Sequence, residues 1–252
     1  MDRRTALKLV GGALSLSAVP LPLLKKRTPL SQQSTRLFFL PSDLPRIRAN
    51  AETTLLAGYF QECLHVDFAE DRQQLEAALA DKFLFTGRRK VMAMLERECL
   101  ICLIAPEPQR TAYLLELLDI VQNLEKWDYF LEGEATPLGF QLAPHAAIML
   151  LFAKEVLGDE LSAAKQTELL AAVADKGCVP CFNALHTMEH KPDTKNWRFD
   201  PDFLANYDID MSRWPIILDA TNLKAIPCAG LGLGALALRG HDARAGDWLD
   251  LA

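Results

Sequence analysis

The chain has 252 residues, 50% of them apolar and 24% charged, enough to bury a full core and ordinary for a globular protein. The net charge of −6 is uneven: positions 1–33 hold six basic residues and one acidic, leaving the remainder at −11 with 21 basic against 32 acidic. Such a body argues against a nucleic-acid partner, which needs a basic face, and has no net attraction for a polyanion, although a local basic cleft stays open.

The chain starts Asp2-Arg3-Arg4-Thr5-Ala6-Leu7-Lys8, and an apolar run from Leu9 to Leu24 follows. A charged segment before an apolar one is the order of an export signal. Arg3-Arg4, with Leu7 and Lys8 after it, resembles the twin-arginine type, with Ala6 where Phe is usual. The run is short for a membrane span, and Pro20 and Pro22 interrupt it. Residues 1–33 are therefore read as an export signal and linker, and the protein as periplasmic or secreted. Ser15-Leu16-Ser17 is the small-x-small candidate for cleavage. Lys25-Lys26-Arg27 keeps open an uncleaved signal that anchors the chain to the membrane, and a soluble protein with a basic N-terminus is the remaining alternative.

In the body, Asp43 is placed to cap a helix from Leu44, with Pro45 in its first turn. Apolar residues at helical spacing predict helices over 71–83 (Leu75, Ala78, Leu79, Phe83) and 90–105. Pro106 and Pro108 break the chain before a helix over 110–130, marked by Leu114, Leu117, Leu118, Val121 and Leu124. Gly133 and Pro137 mark a loop. Helices follow over 142–157, with Pro144 in the first turn and Gly158 at the close, and over 161–174, closed by Gly177. Residues 178–218 show no period, and so long a stretch is usually functional or a lid. Residues 219–238 are apolar, with Gly230, Gly234 and Ala237 on one helical face where a neighbouring helix can approach. Another helix begins at Asp242, and its face of Trp248, Leu249 and Leu251 is expected to lack a cover before the chain stops. No alternation predicts a sheet. The fold class is all-α, built from helical hairpins.

Few constellations carry chemistry. Cys178, Cys181, His186 and His190 stand at spacings that suit zinc. Cys178-Val179-Pro180-Cys181 also has a thioredoxin-like look but lacks the strand such a motif follows, and in an exported protein the pair offers a disulfide. Cys99 and Cys102 read as core hydrophobes, Cys63 and Cys228 as structural, and His145 as a hydrogen-bonded core residue. Gly230-x-Gly232-x-Gly234 lacks the strand and the Lys-Ser/Thr of a phosphate loop, and no other feature calls for a cofactor. Asp219 and Asn222 precede a helix N-terminus, where an anion site competes with the commoner role of a cap.

Leu44-Pro45-Arg46-Ile47-Arg48, the helical middle, and the passage from Trp214 through Asn222 into the small-residue helix together resemble the heparinase II/III-like polysaccharide lyases. The family's Asn-Asn-Trp stretch is represented by Thr221-Asn222-Leu223, which keeps Asn222. The resemblance, over residues 40–252, implies an incomplete (α/α) toroid across residues 34–252 and β-elimination on an acidic, uronic-acid-containing polysaccharide. It implies that Asn222 binds or neutralises the uronate and that Trp197 or Trp214 stacks on sugar, with Tyr207, His186 and His190 as cleft candidates to which no base or acid role is carried over. It implies no metal and no cofactor. The family's Glu- and Tyr-bearing segment lies beyond the helix that begins at Asp242, so these residues alone are expected to be inactive. The alternatives are a non-catalytic helical carbohydrate-binding or interaction fragment and a small zinc-binding helical protein.

Overall fold

The computed structural model describes residues 36–133, 136–190, 197–203 and 223–252. Asp43 closes a 3-10 turn, Pro41–Asp43, by accepting from the Leu40 N–H at 3.0 Å, and makes no side-chain cap to helix α1, Leu44–Thr53. Arg48 ties α1 inward by donating to the Leu103 carbonyl at 3.3 Å. Helix α2, Leu56–Leu64, follows. Helix α3, Phe68–Leu79, starts three residues before the predicted point because Asp67 caps it, accepting from Ala69 and Glu70 at 2.8 and 3.0 Å. Helix α4, Leu84–Ile104, also starts earlier than the periodicity suggests.

Helix α5, Pro108–Asn123, has proline at its first position and stops short of the predicted Phe130. The chain leaves it because two side chains seal its end. Trp127 Nε1 donates to the Val121 carbonyl at 2.9 Å, and Lys176 Nζ donates to those of Gln122 and Leu124 at 3.0 and 2.6 Å. A lysine on the last carbonyls completes the orphan acceptors and suits the helix dipole. Strand β1, Leu131–Glu132, then pairs antiparallel with β2, Arg198–Phe199, in the register Leu131 to Phe199. Two residues per strand are too few for alternation to show in a sequence. The fold is all-α, with this one short ladder among the described residues.

Helix α6, Leu142–Leu157, matches its predicted limits, and Gly158 at φ +52° closes it. The next segment differs most from expectation. Helix α7, Ala163–Ala172, runs without a break through a π-helical turn, Val173–Cys178, into helix α8, Val179–Glu189. Gly177 and Pro180 therefore do not stop it. Proline lacks an N–H and its ring crowds the carbonyl one turn back, and a wider turn upstream relieves both. Gly177 is needed there for proximity: a Cβ on it would lie 2.8 Å from that of Ala147 and 3.1 Å from Trp127 Cζ3.

Helix α9, Ala225–Leu238, packs on α6, α8 and the π turn, and helix α10, Ala245–Leu251, packs on α9. The small residues act as expected. A Cβ at Gly230 would come within 2.4 Å of Pro144 Cβ, and one at Gly234 within 2.3 Å of Cys178 Sγ. Trp248 is buried, and Leu249 and Leu251 pack half-buried on the core, so the α10 face is covered within the described residues, contrary to expectation. Gly230→Ala should destabilise by about 1–3 kcal/mol through overpacking, despite alanine's better helix propensity. Gly246→Ala in α10, where nothing lies within 4 Å of the added Cβ, should instead stabilise by up to ~1 kcal/mol. Urea unfolding of the two variants checks the opposite signs.

Candidate functional site

The exposed end of α8 carries two of the predicted site residues together. His186 and His190 lie one turn apart on the same face, both solvent-exposed. Their rings stack 4.3 Å apart, and His186 also stacks on Phe182 at 5.5 Å. The His190 ring Nδ1 is 2.9 Å from the His186 carbonyl oxygen. The start of α9 adjoins this end: Lys224 and Glu189 both act electrostatically on the half-buried Cys228 thiol. Burial pushes that thiol up, Lys224 opposes the rise, and Glu189 adds to it.

The structure does not assemble the zinc set. Cys178 and Cys181 are fully buried and unbonded, whereas His186 and His190 are exposed. Burial pushes the Cys178 thiol up to about 12 and raises that of Cys181 as well. Both thiols sit in the core while the two imidazoles face solvent, so the four side chains do not converge on one ion. Among the described residues no group of three or more His, Cys, Asp or Glu side chains could hold a metal. His145 is not a core residue either. It is partly exposed, with Nε2 3.6 Å from Glu96 Oε2.

Trp197 is 5% exposed and meets Phe140 edge-on at 5.4 Å, so it presents no open ring face for a sugar. Asn222, Trp214 and Tyr207 lie outside the described residues.

A cleft of about 380 Å³ opens elsewhere, lined among others by Lys126, Asp128, Glu132, Asp175, Lys176 and Asp200. Most of its charges are engaged in holding segments together. Lys126 pairs with the buried Asp200, Glu132 pairs with Arg198 at 2.6 Å, and Asp175 pairs with Arg244 at 3.0 Å. Desolvation pulls the Lys126 ammonium down, and Asp200 more than restores it. Asp128 accepts from four main-chain N–H groups around the start of α6 and from that of Phe130. Burial pushes its carboxyl above the usual range, and the N–H groups of Gln141, Phe140, Ala143 and Phe130 pull against that. The cleft joins segments 125–138, 175–180 and residue 200, a grouping that no local sequence pattern announces. The nearest sequence signal is Lys126-Trp127-Asp128, two charges flanking a tryptophan at a helix exit.

No family model, curated protein or solved structure matches this chain.

Proposed function

We propose that this chain supplies the front of the helical domain of an exported polysaccharide lyase, which cleaves a uronic-acid-containing polymer by β-elimination. In this proposal the helical hairpins form part of an (α/α) toroid. The observation that carries it is the seat of α9. Its small-residue face lies directly on Pro144 and Cys178, and its start, at Lys224 and Cys228, adjoins Glu189 at the end of α8 that bears the His186 and His190 pair. The segment ending in Asn222 leads straight into this helix. Two further features agree. Leu44-Pro45-Arg46-Ile47-Arg48 opens the first α-helix of the described chain, and consecutive helices α4 and α5 pack together as a hairpin.

The chemistry needs a group to neutralise the uronate carboxylate, a base for the C5 proton and an acid for the leaving oxygen. Asn222 is assigned the first role, with Trp214 as the sugar-stacking side chain and Tyr207, His186 and His190 around the cleft. No base or acid is assigned. The complete gene product should release unsaturated uronate, read by ultraviolet absorbance, from one or more uronic-acid polymers. Asn222→Ala should lower kcat/KM by about 10²–10³-fold, the usual cost of removing one preorganised charge-stabilising donor. Absence of absorbance with every uronic-acid polymer, under conditions where the protein is folded, sinks the proposal. Polymer binding without product would point to the non-catalytic carbohydrate-binding alternative.

A further inference from the structure

We infer that helices α3, α4 and α5 enclose a binding site for one water molecule, held by Asp71 Oδ1, Glu98 Oε2 and the Tyr113 hydroxyl, independently of the lyase proposal. The three side chains are at most 1% exposed. Arg97 Nη2 lies 2.5 Å from Asp71 Oδ2 and 3.1 Å from Glu98 Oε1, so one nitrogen draws the two carboxyl groups together. Arg110 Nη1 approaches the same Glu98 oxygen at 2.9 Å. Among the described residues, no protein group hydrogen-bonds Asp71 Oδ1, Glu98 Oε2 or the Tyr113 hydroxyl. The hydroxyl nonetheless stands beside both carboxyl groups. Burial first, and then the Asp71 carboxylate, push its pKa up, and Arg97 and Glu98 act on it as well. Its ring is fixed in place, edge-on to Phe68 at 5.7 Å and under the Arg72 guanidinium at 5.4 Å.

Charge and hydrogen-bond inventory identify the occupant. Asp71 and Glu98 are opposed by Arg97 and Arg110, so an added ion would be buried without a counter-charge. The two carboxylate oxygens lack donors, and the protonated hydroxyl lacks an acceptor. Water supplies two donors and an acceptor from one oxygen atom, whereas an ammonium ion has no acceptor to offer. Each buried polar atom left unpaired costs about 1–3 kcal/mol, and a buried water makes about three hydrogen bonds to such atoms. The water adds a link from Tyr113 of α5 to Asp71 of α3 and Glu98 of α4 that the two guanidiniums do not supply.

The test is a high-resolution crystal structure of the full chain, joined to oxygen-17 relaxation dispersion in solution. One solvent peak is expected at about 2.6–3.2 Å from Asp71 Oδ1, Glu98 Oε2 and the Tyr113 hydroxyl oxygen. In solution the same site should contribute a long-lived water. Tyr113→Phe removes one of its three hydrogen bonds and should shorten its residence time about tenfold. The crystal structure decides the matter without any variant, should Tyr113→Phe not fold. A Tyr113 hydroxyl that donates directly to Asp71 with no solvent peak between them overturns the inference. So does a peak with the contacts of about 2.3–2.6 Å that a bound cation makes, or a residence time that Tyr113→Phe leaves unchanged.

Discussion

Asp128→Ala should cost at least ~4 kcal/mol of stability, a large part of the roughly 5–15 kcal/mol that holds an ordinary domain folded. Helix α6 makes no side-chain cap of its own, since its N-cap residue is Gln141 and the Gln141 side chain does not close the turn. The carboxylate of Asp128 does so from outside. Its Oδ2 accepts from Phe140, Gln141, Leu142 and Ala143 at 2.8, 2.8, 3.1 and 3.3 Å, and its Oδ1 accepts from Phe130 at 3.0 Å. Phe130, Phe140, Leu142 and Ala143 are buried, so alanine would strand N–H groups where water does not reach them. Each stranded donor costs about 1–3 kcal/mol, and water entering the vacated space recovers only part. Helix α6 is also the wrong helix to loosen. Ala143, Ala146, Ala147, Leu150 and Ala153 are fully buried along it, and α4, α5, α9 and the π turn all rest on it. Asparagine keeps an acceptor for the Oδ2 donors but sets an NH₂ against the Phe130 N–H, so Asp128→Asn should cost about 2–3 kcal/mol. Urea unfolding of the parent and both variants reads the order. An alanine variant within about 1 kcal/mol of the parent would refute the remote cap.

The contrast between α6 and α8 shows what a sequence can announce about this fold. Helix α6 is bounded by signals that mean the same thing locally and globally: Pro144 fits a first turn, and Gly158 takes the positive φ that ends a helix. Helix α8 is hidden because Gly177 and Pro180 carry the usual meaning of a stop, and the π turn overrides it. What overrides it is tertiary. Gly177 is there so that Trp127 and Ala147 can approach, and Gly139 donates its N–H to the Pro180 carbonyl at 3.0 Å. Neither contact has a local trace. The small-residue face of α9 was legible, because close approach needs Gly230 and Gly234 at helical spacing whatever lies opposite. Its partners, Pro144 and Cys178, were not.

The same distinction holds for the candidate site. The zinc spacing fails for a physical reason: from Cys178 to Glu189 the chain is a continuous helix apart from its π-helical first residue, with His190 at its cap, and a helix faces different sides at different offsets. Cys178 and Cys181 point into the core, whereas His186 and His190 share the outer face. Helical phase thus splits one four-residue motif into a buried structural pair and an exposed imidazole pair. Trp197 fails as a sugar platform because it fills the core beside β2, packed on Phe140.

Glu98 and Arg110 should prove expensive to break singly and cheaper to replace together. Glu98 is fully buried, and its Oε1 accepts from Arg97 Nε at 3.1 Å and from Arg110 Nη1 at 2.9 Å. Arg110 is itself 5% exposed and lies 4.2 Å over the Phe68 ring, with Nη2 at 3.4 and 3.5 Å from the Leu64 and Val66 carbonyls. One guanidinium therefore joins α4, α5 and the turn between α2 and α3. Arg97 extends the network to the buried Asp71, so two carboxylates face two guanidiniums and the formal charges cancel. Removing one partner leaves a charge with nowhere to go, and Glu98→Leu or Arg110→Met alone should cost about 3–5 kcal/mol. The double variant removes both charges, and apolar side chains of similar size return packing without desolvation. Its cost should therefore fall below the sum of the single costs by about 2 kcal/mol or more, a coupling that urea unfolding of the four proteins measures directly. Strict additivity would mean that the two side chains stabilise the fold through separate contacts. Arg110 would then act through the Leu64 and Val66 carbonyls and the Phe68 ring, and the α2–α3 turn would loosen in Arg110→Met but not in Glu98→Leu. Hydrogen exchange at His65 and Asp71, whose amides donate to the Gln61 and Asp67 carbonyls on either side of the turn, distinguishes these outcomes, because a charge pair that holds the turn must expose those amides in both single variants.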